Sequence, residues 1–507
     1  MSVAAMHVSQ SRDGTRAASV LVAILGATFY AWMLHLSATT TPAAFGSEIY
    51  DQLWLSLKEG RLDVPARVAR IEGHYTPDGT AFIYHGLAPL LTRALLDPFV
   101  TVGTASLAPV TIWFWAVLGT TFYHAAFLRT LDQVSVSQEK RLPFVALIGI
   151  LTWIGGPGVL LTANHGFYQE PIAVAYALFG GFIYIWMQAV RSGRISGRAL
   201  ITVAVLAALC VHARPHLAVA LYCGVAALIV WALGQRGRAA LLPAVLGVAI
   251  LGAGGAGYLG LNKMRFGSAT EVHGSFAAGG TQYGMTFWGF EDEDSARASG
   301  FAEHGRFNPG RIVPNLVVYA VSPPQLHAPS ASEAVLSLHR AYTEPRFGLI
   351  RIEVPDAGIV FLWTFWSIAA AVGIGTLRRA RRGEIVLVGV AGIAALLMLS
   401  YATIAPRYHV DLWPLVAALA IVGLPHAIRR VSAMRGRWYA RLLVVGVIGT
   451  LVNVQTAGAY RYISREHPAS DFAAWDAATC SAHAAEKGFD APRIQEICRA
   501  PRVETES

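Results

Sequence analysis

Long apolar stretches alternate along the chain with short segments rich in arginine. About 20 consecutive apolar residues are enough to cross the hydrocarbon core of a bilayer. The pattern therefore predicts an all-α integral membrane protein with about eleven transmembrane helices. The predicted helices are 17–37, 104–128, 142–162, 171–190, 199–212, 215–234, 239–261, 357–376, 385–402, 411–427 and 442–459. Because the stretch at 199–212 is short, 199–234 is also compatible with a re-entrant pair or one bent helix.

Composition supports this prediction and excludes several classes of protein. Of the 507 residues, 54% are hydrophobic and only 14% are charged, whereas soluble domains are close to a quarter charged. An ordinary soluble enzyme, a disordered chain and a fibrous repeat are therefore excluded. The net charge of +9 does not indicate a nucleic-acid partner, because membrane proteins collect Arg and Lys in their cytoplasmic loops.

The basic residues orient the predicted helices. With a cytoplasmic N-terminus, the inside segments carry nearly half of the 40 Lys and Arg residues. The short outside turns at 163–170, 212–216 and 403–410 carry only Arg214 and Arg407. This asymmetry follows the positive-inside rule. We expect a multi-pass protein of the bacterial inner membrane, with its active site on the periplasmic side.

This orientation divides the chain into four parts. We predict an N-terminal transmembrane module at 1–261 that includes a first periplasmic loop at 38–103. A periplasmic loop region at 262–356, C-terminal transmembrane helices at 357–459 and a periplasmic tail at 460–507 follow. Cys480 and Cys498 are the pair of cysteines outside the predicted helices, and we expect them to form a disulfide in that oxidising compartment.

Acidic residues are nearly absent from the predicted helices and gather at their outer ends. Proton-coupled transporters need ionisable groups near the middle of the bilayer, so this distribution places chemistry at the outer interface instead. The acidic residues at or above that interface are Glu48, Asp51, Asp63, Glu72, Asp78, Glu170 and Asp411.

The segment after the first predicted helix holds the first acidic group. Ser47 is a good capping residue for a helix whose first turn contains Glu48 and Asp51. These two carboxylates are three residues apart and share a helix face. Gly60 ends the helix, and 86–98 predicts a second one. Both helices are apolar enough to lie along the membrane surface.

Four short motifs resemble a known family. The run YDQLWLSLKEGRLDVP, then DGTAFIYHGLAPLL, NKMRFGS and APRYHVDLWP, resembles the GT-C glycosyltransferase superfamily. The members it is similar to are the bacterial aminoarabinose and protein-mannose transferases. Many members carry a paired Asp–Glu in the first loop, whereas here Glu48 and Asp51 are separated by two residues.

The resemblance implies a reaction and roles for the first-loop carboxylates. Such enzymes transfer a sugar from a polyprenyl-phosphate donor to a glycan, lipid or protein acceptor, with inversion. A carboxylate takes the proton of the acceptor hydroxyl, and cationic groups stabilise the departing lipid phosphate. Asp51 is the first candidate for the base and Glu48 the second, although a helix-stabilising charge also explains Asp51 and a solvated charge also explains Glu48.

The outer turns and the segment after 261 supply candidate binding residues. We expect Glu170, His165 and Tyr168 to bind sugar hydroxyls or to orient the acceptor. Basic or polar side chains in the outer turns and after residue 261 are candidates for binding the lipid-phosphate donor. Snorkelling to lipid headgroups also explains exposed arginines at these positions. These candidates are Arg214, Lys263, Arg265, Arg407 and His409.

Other candidates carry less weight. His74 and His85 are interpreted as ordinary loop histidines. No metal site and no certain cofactor are assigned, and a requirement for a divalent metal ion is left open. The expected partners are the lipid-linked sugar, its acceptor and membrane lipids.

Three other functions stay open at this stage. A flippase or transporter of a lipid-linked saccharide predicts polar groups through the helices and internal repeats, and neither is visible. A glycan ligase or polymerase predicts a large late outer loop followed by Arg and His, which 262–356 with Arg407 and His409 allows. The third is a non-catalytic assembly subunit, and nothing in the sequence excludes it.

Overall fold

A computed structural model describes residues 3–35, 46–134, 137–277, 279–433, 437–463 and 476–500. Residues 36–37 of the first predicted helix, 38–45 of the predicted first loop, and 464–475 and 501–507 of the predicted tail lie outside this description. The principal helices are Val3–Met33, Ala108–Leu131, Gln138–Trp153, Gly158–Thr162, Gln169–Ser192, Gly197–Val211, Pro215–Arg236, Leu241–Phe266, Ile359–Leu362, Thr364–Thr376, Arg382–Leu399, His409–Ala433 and Arg437–Arg461. Each of the eleven predicted stretches thus contains a helix over most of its described residues, and those at 142–162 and 357–376 are each broken into two helices.

Length and composition qualify eight stretches of the described chain to cross a membrane. One of them, Pro215–Phe266, contains two helices that fold back on each other, since the Tyr222 hydroxyl donates to the Leu251 carbonyl at 3.1 Å. Large apolar side chains such as Leu25, Val245 and Leu451 are exposed on these helices, as expected where lipid replaces water. The chain is a multi-pass membrane protein, and the number of about eleven spans stays a prediction.

The centre of the bundle is packed with aromatic rings and close helix contacts. The Phe127 and Trp366 rings stack with centroids 4.1 Å apart, and Trp366 lies 5.7 Å from Trp413. The helices Thr364–Thr376 and His409–Ala433 touch backbone to backbone, because a Cβ at Gly423 would lie 1.9 Å from the Ala369 carbonyl oxygen. Small residues allow this approach between membrane helices.

Loops from three parts of the chain form a layer at one end of the bundle, which we call the loop end. Its helices are Ile49–Lys58, Ala66–Ala69, Leu90–Leu96, Gly284–Phe287, Ala296–His304, Ile312–Val321 and Pro329–Phe347, with Ala477–Glu486 and Ala491–Ile497. Single 3-10 turns occupy Arg70–Glu72, Gly237–Ala240, Pro309–Arg311, Leu377–Arg379 and Pro406–Tyr408. All of these turns except the second and fourth belong to the loop end.

Two small sheets connect these loops. In the first, His74–Tyr75 pairs antiparallel with both Ala81–Phe82 and Gln282–Tyr283, and His74 lies opposite Phe82 and Tyr283. In the second, Arg351–Ile352 pairs in parallel with Thr403–Ile404. The first loop is therefore hydrogen-bonded to the region after residue 266, and that region to the turn before the His409 helix.

The first-loop helix begins later than the predicted capping pattern requires. Its N-cap is Glu48, and no side chain caps it. The expectation that Ser47 caps this helix is wrong, because Ser47 lies one residue too early, is fully buried and accepts a hydrogen bond from Ser106 at its carbonyl. Gly60 follows the helix with φ of +73°, which suits its C-terminal position. The second predicted helix is present as Leu90–Leu96.

The described part of the tail packs on the first loop. Cys480 and Cys498, the pair expected to bond, are joined by a disulfide. Arg499 pairs with Asp63 at 2.7 Å, and the Ile497 side chain covers Gly79 so closely that a Cβ there would lie 2.5 Å from it. Gly79 has φ of +82°, which favours glycine as well.

Candidate active site at the loop end

A cavity of about 340 Å³ lies where the first loop meets the ends of four membrane helices. Two kinds of side chain line it. The polar ones are Tyr84, His85, Arg214, His216, Tyr258, His273, Arg306, Tyr401 and Tyr408. The apolar ones include Val219, Leu397 and Met398, which belong to membrane helices. The cavity therefore combines cationic and hydrogen-bonding groups with an apolar lining.

His85 offers unused hydrogen-bonding capacity to this cavity. Its side chain is 5% exposed, and neither ring nitrogen has a hydrogen-bond partner in the described part of the chain. Burial, with the nearby charge of Arg214, holds the pKa of His85 well below its usual range, so the ring is neutral at pH 7. Arg265 fixes this loop by donating to the His85 carbonyl at 2.7 Å. His85 is thus more than the ordinary loop histidine that the sequence indicated.

His273 and Arg306 form a second polar pair in the lining. The Arg306 Nη2 lies 2.8 Å from His273 Nδ1. The same Nδ1 lies 2.8 Å from the Gly274 carbonyl oxygen, to which Arg306 Nη2 also donates at 3.2 Å. Burial lowers the pKa of His273 well below its usual range, and the neighbouring His74 and Arg306 add to the effect. The Arg306 charge has no carboxylate bound to it within the described residues, so it is available to an anion.

Arg214, His216 and Asp411 form a charged group on the cavity wall. The Arg214 guanidinium is hydrogen-bonded to Asp411, and His216 Nε2 lies 3.4 Å from Asp411 Oδ2. Asp411 is 1% exposed and does not line the cavity, whereas Arg214 and His216 do. A carboxylate beside a histidine can orient the ring, and Asp411 here also accepts from Arg214.

The first-choice base from the sequence lies in a buried ion triad instead. Arg93 Nε donates to Asp51 Oδ1 at 2.9 Å, and Arg93 also binds Glu170 through both terminal nitrogens. The backbone N–H of Leu107 donates to the other Asp51 oxygen at 3.2 Å, and Thr111 accepts from Arg93. Asp51, Arg93 and Glu170 are each at most 1% exposed.

The triad does not reach the cavity. Neither Asp51 nor Glu170 is among the lining residues. Burial raises the pKa of Asp51, and the Arg93 charge and the Leu107 hydrogen bond oppose that rise. Glu48, the second candidate base, is half-buried, lies 3.7 Å from Arg70 and does not line the cavity either.

Tyr168 and Arg407 lie together beside the cavity. The Arg407 guanidinium binds both oxygens of Glu353 and stacks over the Tyr168 ring at 4.7 Å. The Tyr168 hydroxyl donates to Glu72, whose pKa is raised by burial. Arg407 is thus neutralised by Glu353, which leaves it less available to a phosphate than the sequence suggested.

The remaining predicted ligands lie apart from the cavity lining. His409 Nδ1 faces the Pro406 carbonyl at 3.1 Å, and its ring packs against Tyr319. Lys263 is exposed and His165 is buried. Of the residues singled out from the sequence as donor ligands, Arg214 alone is among the described residues that line the cavity.

The Arg407–Glu353 pair makes stability depend on pH. Burial alone would raise the pKa of Glu353, but Arg407 overcomes it and lowers that pKa below the ordinary 4.5. The ionised carboxylate therefore stabilises the fold above pH 4.5, and this contribution is lost as the pH falls through the lowered pKa. We expect Glu353→Gln to cost about 1.5–3 kcal/mol at neutral pH.

Thermal unfolding in detergent between pH 7 and pH 3 tests this expectation. The difference in Tm between wild type and Glu353→Gln is expected to shrink as the solution becomes acidic. Glu333→Gln is the matched control, because Glu333 pairs with Arg340 on the surface. A difference that is constant over this range would contradict the proposed pair.

Sequence reasoning missed Arg93 although a signal was present. Arg93 is the single basic residue in the apolar segment 86–98 on the predicted outer side. The same reasoning that selected Arg407, a basic residue against the topological trend, would have selected it. Arg306 carries no such signal, because it is one of several arginines in a long polar loop.

No group of three or more His, Cys, Asp or Glu side chains within the described residues is arranged to hold a metal ion.

Comparisons with known proteins give distant structural similarity only. No family model and no curated protein match the chain. The fold is similar to the Archaeoglobus fulgidus oligosaccharyltransferase in its apo form, with a TM-score of 0.45 and 12% identity. It is similar, also with a TM-score of 0.45 and with 13% identity, to the archaeal oligosaccharyltransferase AglB from that organism in complex with an inhibitory peptide and a dolichol-phosphate. In both cases 88% of this chain aligns, and it spans 56% of the other chain.

Proposed function

We propose that this protein is a membrane glycosyltransferase of the GT-C type. It moves a sugar from a polyprenyl-phosphate donor to a hydroxyl group of a cell-envelope glycan, lipid or protein. The loop end then faces the periplasm of a bacterial inner membrane. The observation that carries this proposal is the cavity, in which arginines, histidines and tyrosines share one lining with apolar side chains of membrane helices.

The two chemistries of the cavity match the two parts of such a donor. Arg214 and Arg306 supply charge-assisted hydrogen bonds for a phosphate. Val219 and Leu397 lie on membrane helices and give an apolar path for the first isoprene units. Since the phosphate leaves as an anion, fixed cations stabilise it as charge develops, and no general acid is required.

The acceptor must lose a proton as the new glycosidic bond forms. His216 lines the cavity with Asp411 behind it, so we propose that His216 takes this proton. Asp51, whose two oxygens are already bound to Arg93 and Leu107, becomes a positioning residue that holds the first loop against the membrane helices. Attack on the anomeric carbon from the face opposite the phosphate gives inversion.

A transfer assay tests the proposal. The purified protein is supplied with radiolabelled polyprenyl-phosphate pentose, hexose or amino sugar and with total envelope lipid and glycan. We expect transfer by wild type, and a loss of at least tenfold in kcat/KM for Arg306→Gln, because a charged hydrogen-bond donor contributes about 1.5–3 kcal/mol. Arg340→Gln, on the surface of the same loop region, is the matched control.

Two results would contradict the proposal. In one, no donor supports transfer while the protein moves a labelled lipid-linked sugar across vesicles, which identifies a transporter. In the other, transfer occurs but is unchanged by Arg306→Gln, which removes the cavity from the reaction.

A further inference from the structure

A second cavity, of about 740 Å³, lies at the end of the bundle opposite the loop end. It is formed where the Gln169–Ser192 helix ends, the Gly197–Val211 helix begins and the Pro215–Arg236 helix ends. Four arginines line it. They are Arg129, Arg191, Arg194 and Arg236.

These arginines carry more positive charge than their protein partners neutralise. Asp132, 3.6 Å from Arg191, is the acidic residue that pairs with the group in the described chain. Arg129 donates to the Tyr184 hydroxyl at 3.0 Å, and Arg236 to a backbone carbonyl. Arg194 is exposed. The start of the 15-residue helix Gly197–Val211 adds partial positive charge to the same cavity.

We propose that this cavity binds the headgroup of an anionic phospholipid. A phosphate is the anion that several arginine forks bind best. The lining also includes Ile185, which lies about two helical turns further toward the bilayer than Ser192 and offers an apolar contact to the start of an acyl chain. Basic pockets between membrane helices recognise anionic lipid headgroups in this way. This site is separate from the proposed transferase site and does not depend on it.

Native mass spectrometry of the full chain in detergent tests the proposal. Dioleoyl-phosphatidylglycerol and dioleoyl-phosphatidylcholine are titrated separately into wild type and into Arg194→Gln/Arg236→Gln. We expect wild type to prefer the anionic lipid by on the order of tenfold, and the double variant to lose most of that preference. Arg238→Gln/Arg378→Gln, two exposed arginines at the same end that do not line the cavity, is the matched control.

Each other outcome overturns the assignment. If both double variants lose the preference equally, the arginines act only through the general positive charge of this face. If a millimolar excess of inorganic phosphate displaces the anionic lipid, the cavity is a site for a soluble phosphate compound. Arg194→Gln alone is measured as well, since an exposed side chain can be replaced without loss of folding, and it too is expected to weaken anionic-lipid binding.

Discussion

Arg93→Met is expected to leave little folded protein. It removes the cation from a triad in which Asp51 and Glu170 are almost fully buried, and two carboxylates then face each other without a counter-charge. Breaking a buried pair in this way costs about 3–5 kcal/mol. The expected result is a fall in Tm, or in monodisperse yield from detergent, much larger than for Arg340→Gln at an exposed pair.

A triple variant separates the ion triad from other effects of the substitution. Arg93→Met combined with Asp51→Asn and Glu170→Gln removes all three charges. It is expected to regain part of the stability that Arg93→Met alone loses, because no uncompensated charge stays buried. If the triple variant is instead less stable than the single one, the triad is not what holds these helices together.

His216→Asn is expected to lower kcat for sugar transfer by about 10²–10⁴-fold, the usual contribution of a positioned general base. Donor binding is expected to change little, because the arginines of the cavity remain. The measurements are single-turnover transfer with saturating labelled donor, and Tm as a check on folding. His327→Asn, an exposed histidine of the loop end, is the control.

Asp51→Asn supplies the competing test. On the proposed assignment it lowers the folded fraction, and the molecules that do fold transfer sugar at close to the wild-type rate. The proposed assignment is contradicted if Asp51→Asn is fully stable but transfers no sugar, while His216→Asn transfers sugar normally. Asp51 of the first loop would then be the general base.

The positions of the membrane helices could be predicted from the sequence because lipid imposes a strong rule. Backbone groups in hydrocarbon must be satisfied within the helix, so apolar length translates directly into structure. The predicted helix bounds are least accurate where local sequence and helix packing interrupt an apolar stretch. The stretch at 142–162 is broken at 154–157, where Gly155, Gly156 and Pro157 interrupt the helix.

The candidate site was less predictable because its partners are distant in the sequence. Nothing in the sequence around Asp51 shows that it will bind Arg93, which lies 42 residues later. Nor does it show that Arg93 will bind Glu170, a further 77 residues along the chain. Likewise, His85 becomes part of a cavity only because residues 213–219 and 397–408 fold beside it. Residue type indicated the chemistry at the outer interface, whereas tertiary contacts determined which groups reach the cavity.

The docking of residues 476–500 on the first loop has a consequence for the order of synthesis. Arg493 donates to the Asp78 carbonyl across 415 positions of the chain, so the first loop is synthesised long before the segment that covers it. Until then the apolar cluster that includes Tyr75, Ile497 and Cys498 lacks one of its sides. This apolar cluster is therefore complete only once the chain has been translated as far as Cys498, and a product that ends before residue 476 would leave one side of it uncovered.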